Sequence, residues 1–123
     1  MEETLVKHIP LKFLAEDDRP REKLILIGRQ NLSDAELLAI QIGIGTREET
    51  AIQLAQRILS NYSNDLNLLA KASVNELQKF KGIGEAKAIN IASAFELGRR
   101  RKEYESPERP KIATSMDAYK LFS

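Results

Sequence analysis

The stretch Phe80-Lys81-Gly82-Ile83-Gly84-Glu85-Ala86-Lys87-Ala88 leaves a short chain few ways to fold. Apolar residues at helical spacing precede it (Leu77, Phe80) and follow it (Ala88, Ile91, Ala92, Phe95). Between the two patterns a pair of glycines flanks one aliphatic residue. Glycine takes backbone conformations closed to other residues and is a poor helix former. The stretch therefore reads as two helices joined by a tight turn, with Ile83 turned inward to lock them. That is a helix-hairpin-helix, which can hold a nucleic-acid backbone at a helix N-terminus.

A second triplet, Gly43-Ile44-Gly45, lies 39 residues upstream. The same offset pairs Leu38 with Leu77, Ile52 with Ile91, Ala55 with Ala94 and Ile58 with Leu97. The serines that open the preceding helices, Ser33 and Ser73, miss it by one residue. An internal repeat of this length reads as two related supersecondary units. Two hairpins bridged by a short helix make a pseudo-twofold five-helix unit in which short elements share a core.

The chain has 123 residues, 42% of them hydrophobic, enough for one compact domain with a modest core. Aromatics are 6% and tryptophan is absent, so Leu, Ile and Ala must supply that core. No β-branched alternation stands out. The expected fold is all-α: a tandem helix-hairpin-helix-like bundle of five to six short helices with an N-terminal arm and a C-terminal linker. Without cysteine there is no disulfide framework and no thiolate metal site. With one histidine, His8, and no acidic cluster of loop-ligand spacing, no metal or cofactor is expected in this chain. Apolar runs such as Leu24-Ile25-Leu26-Ile27 are too short to span a bilayer, and the acidic start has no long apolar region behind it. A soluble cytoplasmic domain with no membrane partner is expected.

Residues 1–17 scatter apolar side chains around Pro10 without a period and read as the arm. His8 within it reads as a surface or packing residue. Asp18 is placed to cap a helix with Pro20 in its first turn, where a missing N–H costs nothing. Gly28 stops that helix, and Leu24, Ile25 and Ile27 cover one side of it. Ser33 with Glu36, Thr46 with Glu49, and Ser73 with Glu76 have capping-box spacing. The helices they open end near Ile42, near Tyr62 and at Phe80, and Leu66 to Lys71 form a short connecting helix. A last helix from Glu85 to about Lys102 completes a helical domain over residues 18–102. Glu103 to Lys111, with Pro107 and Pro110, reads as a linker. Thr114 or Ser115 then caps a short helix through Leu121 and Phe122. Residues 103–123 are thus expected to be a linker and the start of a truncated second domain, and the chain to be a fragment.

The net charge of +1 hides an asymmetry. Residues 71–102 carry eight Lys/Arg against three Asp/Glu, a net of +5, whereas residues 1–70 carry eight against eleven, a net of −3. The basic surplus sits on the segment holding the second hairpin, which suits an anionic partner on one face. There, Gly82 and Gly84 let a phosphate approach the backbone. The first N–H groups of the following helix lack intrahelical partners and point outward, and the dipole favours an anion. The expected nucleic-acid contacts are Lys81, Gly82, Ile83, Gly84 and Lys87, with Lys79, Arg99, Arg100, Arg101 and Lys102 as secondary ones. Cations at residues 99–102 also offset a helix C-terminus, and Glu85 already satisfies the dipole at the helix start. In the first hairpin Glu48 and Glu49 crowd the corresponding place with only Arg47 basic, so that copy reads as structural. Asp17 and Asp18 read as caps, and no catalytic residue is assigned. Lys87→Glu is expected to abolish duplex binding and leave the domain folded.

Four strings carry a family resemblance: Asp18-Arg19-Pro20-Arg21-Glu22-Lys23-Leu24, Leu32-Ser33-Asp34-Ala35-Glu36-Leu37-Leu38-Ala39, Gly45-Thr46-Arg47, and Lys81 through Ala88. Together they resemble the N-terminal region of the bacterial RadC family, over roughly residues 10–102. The resemblance implies a role in DNA repair and a helix-hairpin-helix unit ahead of a JAB/MPN-type zinc hydrolase domain, to which Ile112–Phe122 would be the lead-in. The family's His-x-His and downstream Asp zinc ligands have no counterpart here. Zinc and metalloprotease-like activity are expected only in that absent domain, and this chain is expected to be non-enzymatic. The implied partner is DNA, double-stranded or branched, held without sequence preference because phosphate contacts carry no base information. The alternative is a protein-docking or dimerisation module that positions the hydrolase domain, supported by the acidic first hairpin and the modest net charge. A base-excision glycosylase reading fails, since residues 85–102 contain no Asp.

Overall fold

The computed structural model describes residues 11–104, with side chains described from Ala15 onward. Expectations for the arm before Leu11, for His8, and for the linker and short helix of residues 105–123 lie outside the described residues. The described residues form six α-helices and one 3-10 turn, with no strand among them. The helices are α1 (Leu11–Ile27), α2 (Asp34–Ile42), α3 (Ala51–Asn61), α4 (Leu66–Ala70), α5 (Val74–Gln78) and α6 (Glu85–Tyr104), and the turn is Arg29–Asn31. They divide into two compact units, one ending at Ser93 and the other beginning at Ala94.

Local side-chain chemistry sets most helix starts. At α2, Ser33 Oγ accepts from the Glu36 amide (3.1 Å) and Glu36 Oε1 accepts from the Ser33 amide (2.8 Å). Ser73 and Glu76 repeat that reciprocal cap at α5, at 3.1 and 2.9 Å. Each pair satisfies two amides that the helix leaves open. At α3 the cap is Thr50 with Gln53, not the expected Thr46 with Glu49. Thr46 Oγ1 instead accepts from the amides of Glu48 and Glu49, folding the loop before the helix begins. Both pairs have the right spacing, but the Glu49 carboxylate is engaged by Arg57 and does not reach back to Thr46.

The first helix departs further from the sequence reading. It begins at Leu11, inside the expected arm, and contains Pro20 in its interior where a first-turn position was expected. Proline has no N–H for the Glu16 carbonyl, a loss that must be offset by packing. Pro20 is fully buried, Asp17 is buried, and Leu24 is half-buried. At spacings of three and four residues these make the inward face of α1. The expected side, Ile25 and Ile27, is 80% and 47% exposed. Lys23 ties α1 to α2 through Glu36 at 2.8 Å, and that hydrogen bond, then the Ser33 amide, lowers the Glu36 carboxyl below its ordinary range.

The core centres on α3, where Ala51, Leu54, Ala55, Ile58 and Leu59 are buried at the spacing of one broad helical face. Leu38, Ala39 and Ile42 of α2 join it, as do Leu69, Leu77, Ile83, Ala88 and Ile91. The repeat is clearest at the turns. Gly43 and Gly82 both have positive φ (85° and 97°), and Leu38 and Leu77 are both buried. It is lost along α6, where Leu97 is 70% exposed against a fully buried Ile58.

Candidate nucleic-acid interface

The second hairpin is built from the end of α5. The Phe80 amide donates to the Leu77 carbonyl at 3.2 Å, and the Ile83 amide donates to the Phe80 carbonyl at 3.0 Å. Gly82 supplies the left-handed residue that reverses the chain. Ile83 is 4% exposed and locks the turn to the core. The Ala88 amide donates to the Gly84 carbonyl at 3.0 Å, closing the first turn of α6. The amides of Gly84, Glu85, Ala86 and Lys87 have no acceptor among the described residues, as helix geometry requires of a start without a side-chain cap. A Cβ built on Gly84 would meet nothing within 4 Å, so this face is open.

Of the two glycines, only Gly82 has positive φ. A Cβ there would lie 2.8 Å from Thr46 Cγ2 and 3.0 Å from Leu54 Cδ2. The first glycine of the hairpin thus packs on the other loop, and the second faces solvent.

Lys79 and Lys81, which flank the turn in sequence, are exposed, and so is Glu85. Lys87 is not fully available. Its side chain is half-buried and its ammonium donates to the Ile44 carbonyl in the first glycine triplet. Burial lowers its pKa from the ordinary value, with the Asp17 charge opposing that shift. An ammonium has three donors, of which this bond uses one. The tie also makes Lys87→Glu an unsound test, since it would set a carboxylate against a carbonyl and near Asp17.

Two residues that the sequence reading did not bring to the site organise it. Arg57 of α3 holds Glu49 with both arms of its fork, at 2.9 Å each, and donates to the Lys81 carbonyl at 2.9 Å. Its guanidinium lies 5.9 Å from the centre of the Phe80 ring. Arg57 holds the Glu49 carboxyl below its ordinary range, and Glu49 raises Arg57 in turn. Asp17, only 3% exposed, accepts from the Gly45 amide at 2.9 Å and from the Ala51 amide at 2.6 Å. It is therefore a tertiary cap on the first hairpin and not a cap of its own helix. A Cβ on Gly45 would sit 2.1 Å from the Glu49 carbonyl oxygen, so only glycine closes this loop. No local pattern announces either residue, because their partners lie 24 to 34 residues away in sequence for Lys81, Gly45 and Ala51.

In the unit that begins at Ala94, Arg99 pairs with Glu96 at 3.0 Å and Glu103 at 3.2 Å, and Arg100 pairs with Glu96 at 2.9 Å. Arg99 first, then Arg100, hold the partly exposed Glu96 carboxyl down to about 2. Arg101 and Lys102 are exposed. Among the described residues no group of three or more His, Cys, Asp or Glu could hold a metal ion. No described helix is long and apolar enough to cross a membrane.

The family profile described as UPF0758 N-terminal matches residues 11–89. A UPF0758 protein of Flavobacterium johnsoniae is 54% identical over 114 residues, covering 93% of this chain and 49% of that protein. One from Porphyromonas gingivalis is 50% identical over 114 residues (92% and 50%), and one from Methanosarcina mazei is 43% identical over 116 residues (94% and 50%). The chain spans about half the length of these relatives. No solved structure matches it. The matched residues run from α1 through both hairpins into α6, and the chain belongs to the UPF0758 family.

Proposed function

We propose that this chain is a non-enzymatic module that holds a nucleic-acid backbone phosphate at the second hairpin, without reading base sequence. The observation that carries the reading is the run of open amides from Gly84 to Lys87 beside an unobstructed Gly84. A phosphate oxygen would accept from those amides, favoured by the helix dipole. Lys79 and Lys81 would neutralise it from the exposed side, and Lys87 would contribute the donors that Ile44 leaves free. Glu85 opposes the anion and keeps the site weak. The resemblance to the RadC family extends this to a DNA-targeting role in a cytoplasmic repair protein. JAB/MPN-type zinc chemistry would then belong to the half of that protein outside this chain.

Fluorescence anisotropy with labelled single-stranded, duplex and branched DNA at low salt tests the reading. Dissociation constants of roughly 10⁻⁴–10⁻⁶ M are expected once salt is raised to the physiological range, as for non-specific phosphate binding, and tighter ones at low salt. Lys79→Gln/Lys81→Gln should weaken binding at least about tenfold with little change in thermal unfolding, since it removes both charges without setting a carboxylate beside Glu49. If the double variant binds every DNA as well as the parent does, the hairpin is not the site.

A further inference from the structure

The last turn of α1 is apolar on most of its circumference. Ile25 and Leu26 are 80% and 79% exposed, and Ile27 is 47% exposed. Three consecutive helical residues sweep about 200° around the axis. A surface helix ordinarily carries one apolar stripe and a polar opposite face; an end that is apolar over this arc is made to be enclosed. The end is also held in place. The Gly28 amide donates to the Leu24 carbonyl at 2.9 Å, Asn31 Nδ2 donates to the Ile27 carbonyl, and Lys23 anchors the helix on Glu36.

We infer that this turn is the seat on which the other half of a full-length UPF0758 protein docks against its N-terminal module. The relatives are about twice as long as the part this chain matches, and the matching profile is the N-terminal one. Area decides between a tethered domain and a second copy. Three aliphatic side chains offer on the order of 300 Å² of apolar surface, well below the roughly 800 Å² per partner of a stable free interface. A covalently linked domain is present at an effective concentration of about 1 mM. A contact too weak to hold two separate chains then stays closed. The seat is independent of the proposed phosphate site, which uses other residues.

Hydrogen–deuterium exchange tests this on the 123-residue chain and on a protein of the relatives' full length that carries this sequence. The amides of Leu24 to Gly28 should exchange about tenfold more slowly in the longer protein, as a docked segment does. Leu26→Asp in the longer protein should return them to the rate of the short chain, and Leu26→Ala, which keeps helix propensity, should do so in part. Circular dichroism of both variants should match the parent. Equal exchange in the two lengths overturns the inference. So does sedimentation of the 123-residue chain as a micromolar dimer that Ile25→Asp/Leu26→Asp dissociates, for a second copy would then occupy the seat.

Discussion

At Asp17 a carboxylate does inside the first hairpin what a phosphate is proposed to do at the second. It is buried, it accepts from the Gly45 amide of the loop and from the Ala51 amide that opens α3, and the Lys87 ammonium lies in its field. Leaving a buried amide unpaired costs about 1–3 kcal/mol, so Asp17→Ala should destabilise the protein by about 2–4 kcal/mol in urea unfolding. If the loop is an anion cradle, sodium formate should restore more stability to Asp17→Ala than sodium chloride at equal ionic strength, and should leave the parent unaffected. The glycines of the two triplets make a second contrast. Gly45→Ala drives a methyl into the Glu49 carbonyl and should cost several kcal/mol, about the upper range for point changes. Gly84→Ala meets no neighbour and has no positive φ, so it should cost at most about 1 kcal/mol as a poorer helix start. Its methyl would nonetheless stand where a phosphate must approach, so DNA affinity should fall while the fold persists. Matched anisotropy and thermal-melt measurements on Gly84→Ala decide that point.

Between elements, the two hairpins are joined by three ties of different chemistry: Arg57 to Glu49 and the Lys81 carbonyl, Lys87 to the Ile44 carbonyl, and the Gly82 backbone against Thr46 and Leu54. The Arg57 fork needs two directions at once, and lysine cannot supply them. Arg57→Lys should therefore lose most of what Arg57→Ala loses, about 1 kcal/mol for a partly exposed pair with one added carbonyl bond. A double-mutant cycle with Glu49→Ala isolates the ion pair and should return a coupling of about 0.5–1 kcal/mol. The pH dependence follows from the depressed Glu49 carboxyl. Its contribution is fully present above the ordinary value of 4.5 and is lost as pH falls through the lower folded value. Acid unfolding of Glu49→Gln should lack that step, so the parent's advantage over the variant shrinks below about pH 4.5. An advantage that stays constant down to pH 3 would mean that Glu49 acts by packing and not by charge.

Over the whole molecule, what could be read in the sequence was whatever is written within a turn of helix. The caps at Ser33 and Ser73 and the Gly82 reversal each depend on neighbours a few residues apart, and each stands where expected. The start of α1 was hidden because Pro20 and Asp17 look like boundary residues, and only tertiary contacts make them interior ones. The expected cap at Thr46 gave way to Thr50 because Arg57, two turns into the next helix, engages the Glu49 carboxylate. For the candidate site, the glycine turn was legible, but the charge around it was not. Eight cations in residues 71–102 suggest a strong electropositive face. In the folded protein Lys87 is tied to Ile44, and Arg99 and Arg100 to Glu96. Those commitments set the salt dependence of any DNA complex. Lys79, Lys81 and part of Lys87 would neutralise about two to three phosphates, and each releases counterions with a slope near −0.9 on double-stranded DNA. The logarithm of the binding constant should then fall against the logarithm of salt concentration with a slope of about −2 to −3. A slope near zero would remove phosphate from the site altogether. One steeper than about −5 would exceed what the hairpin cations can neutralise and move the interface beyond them.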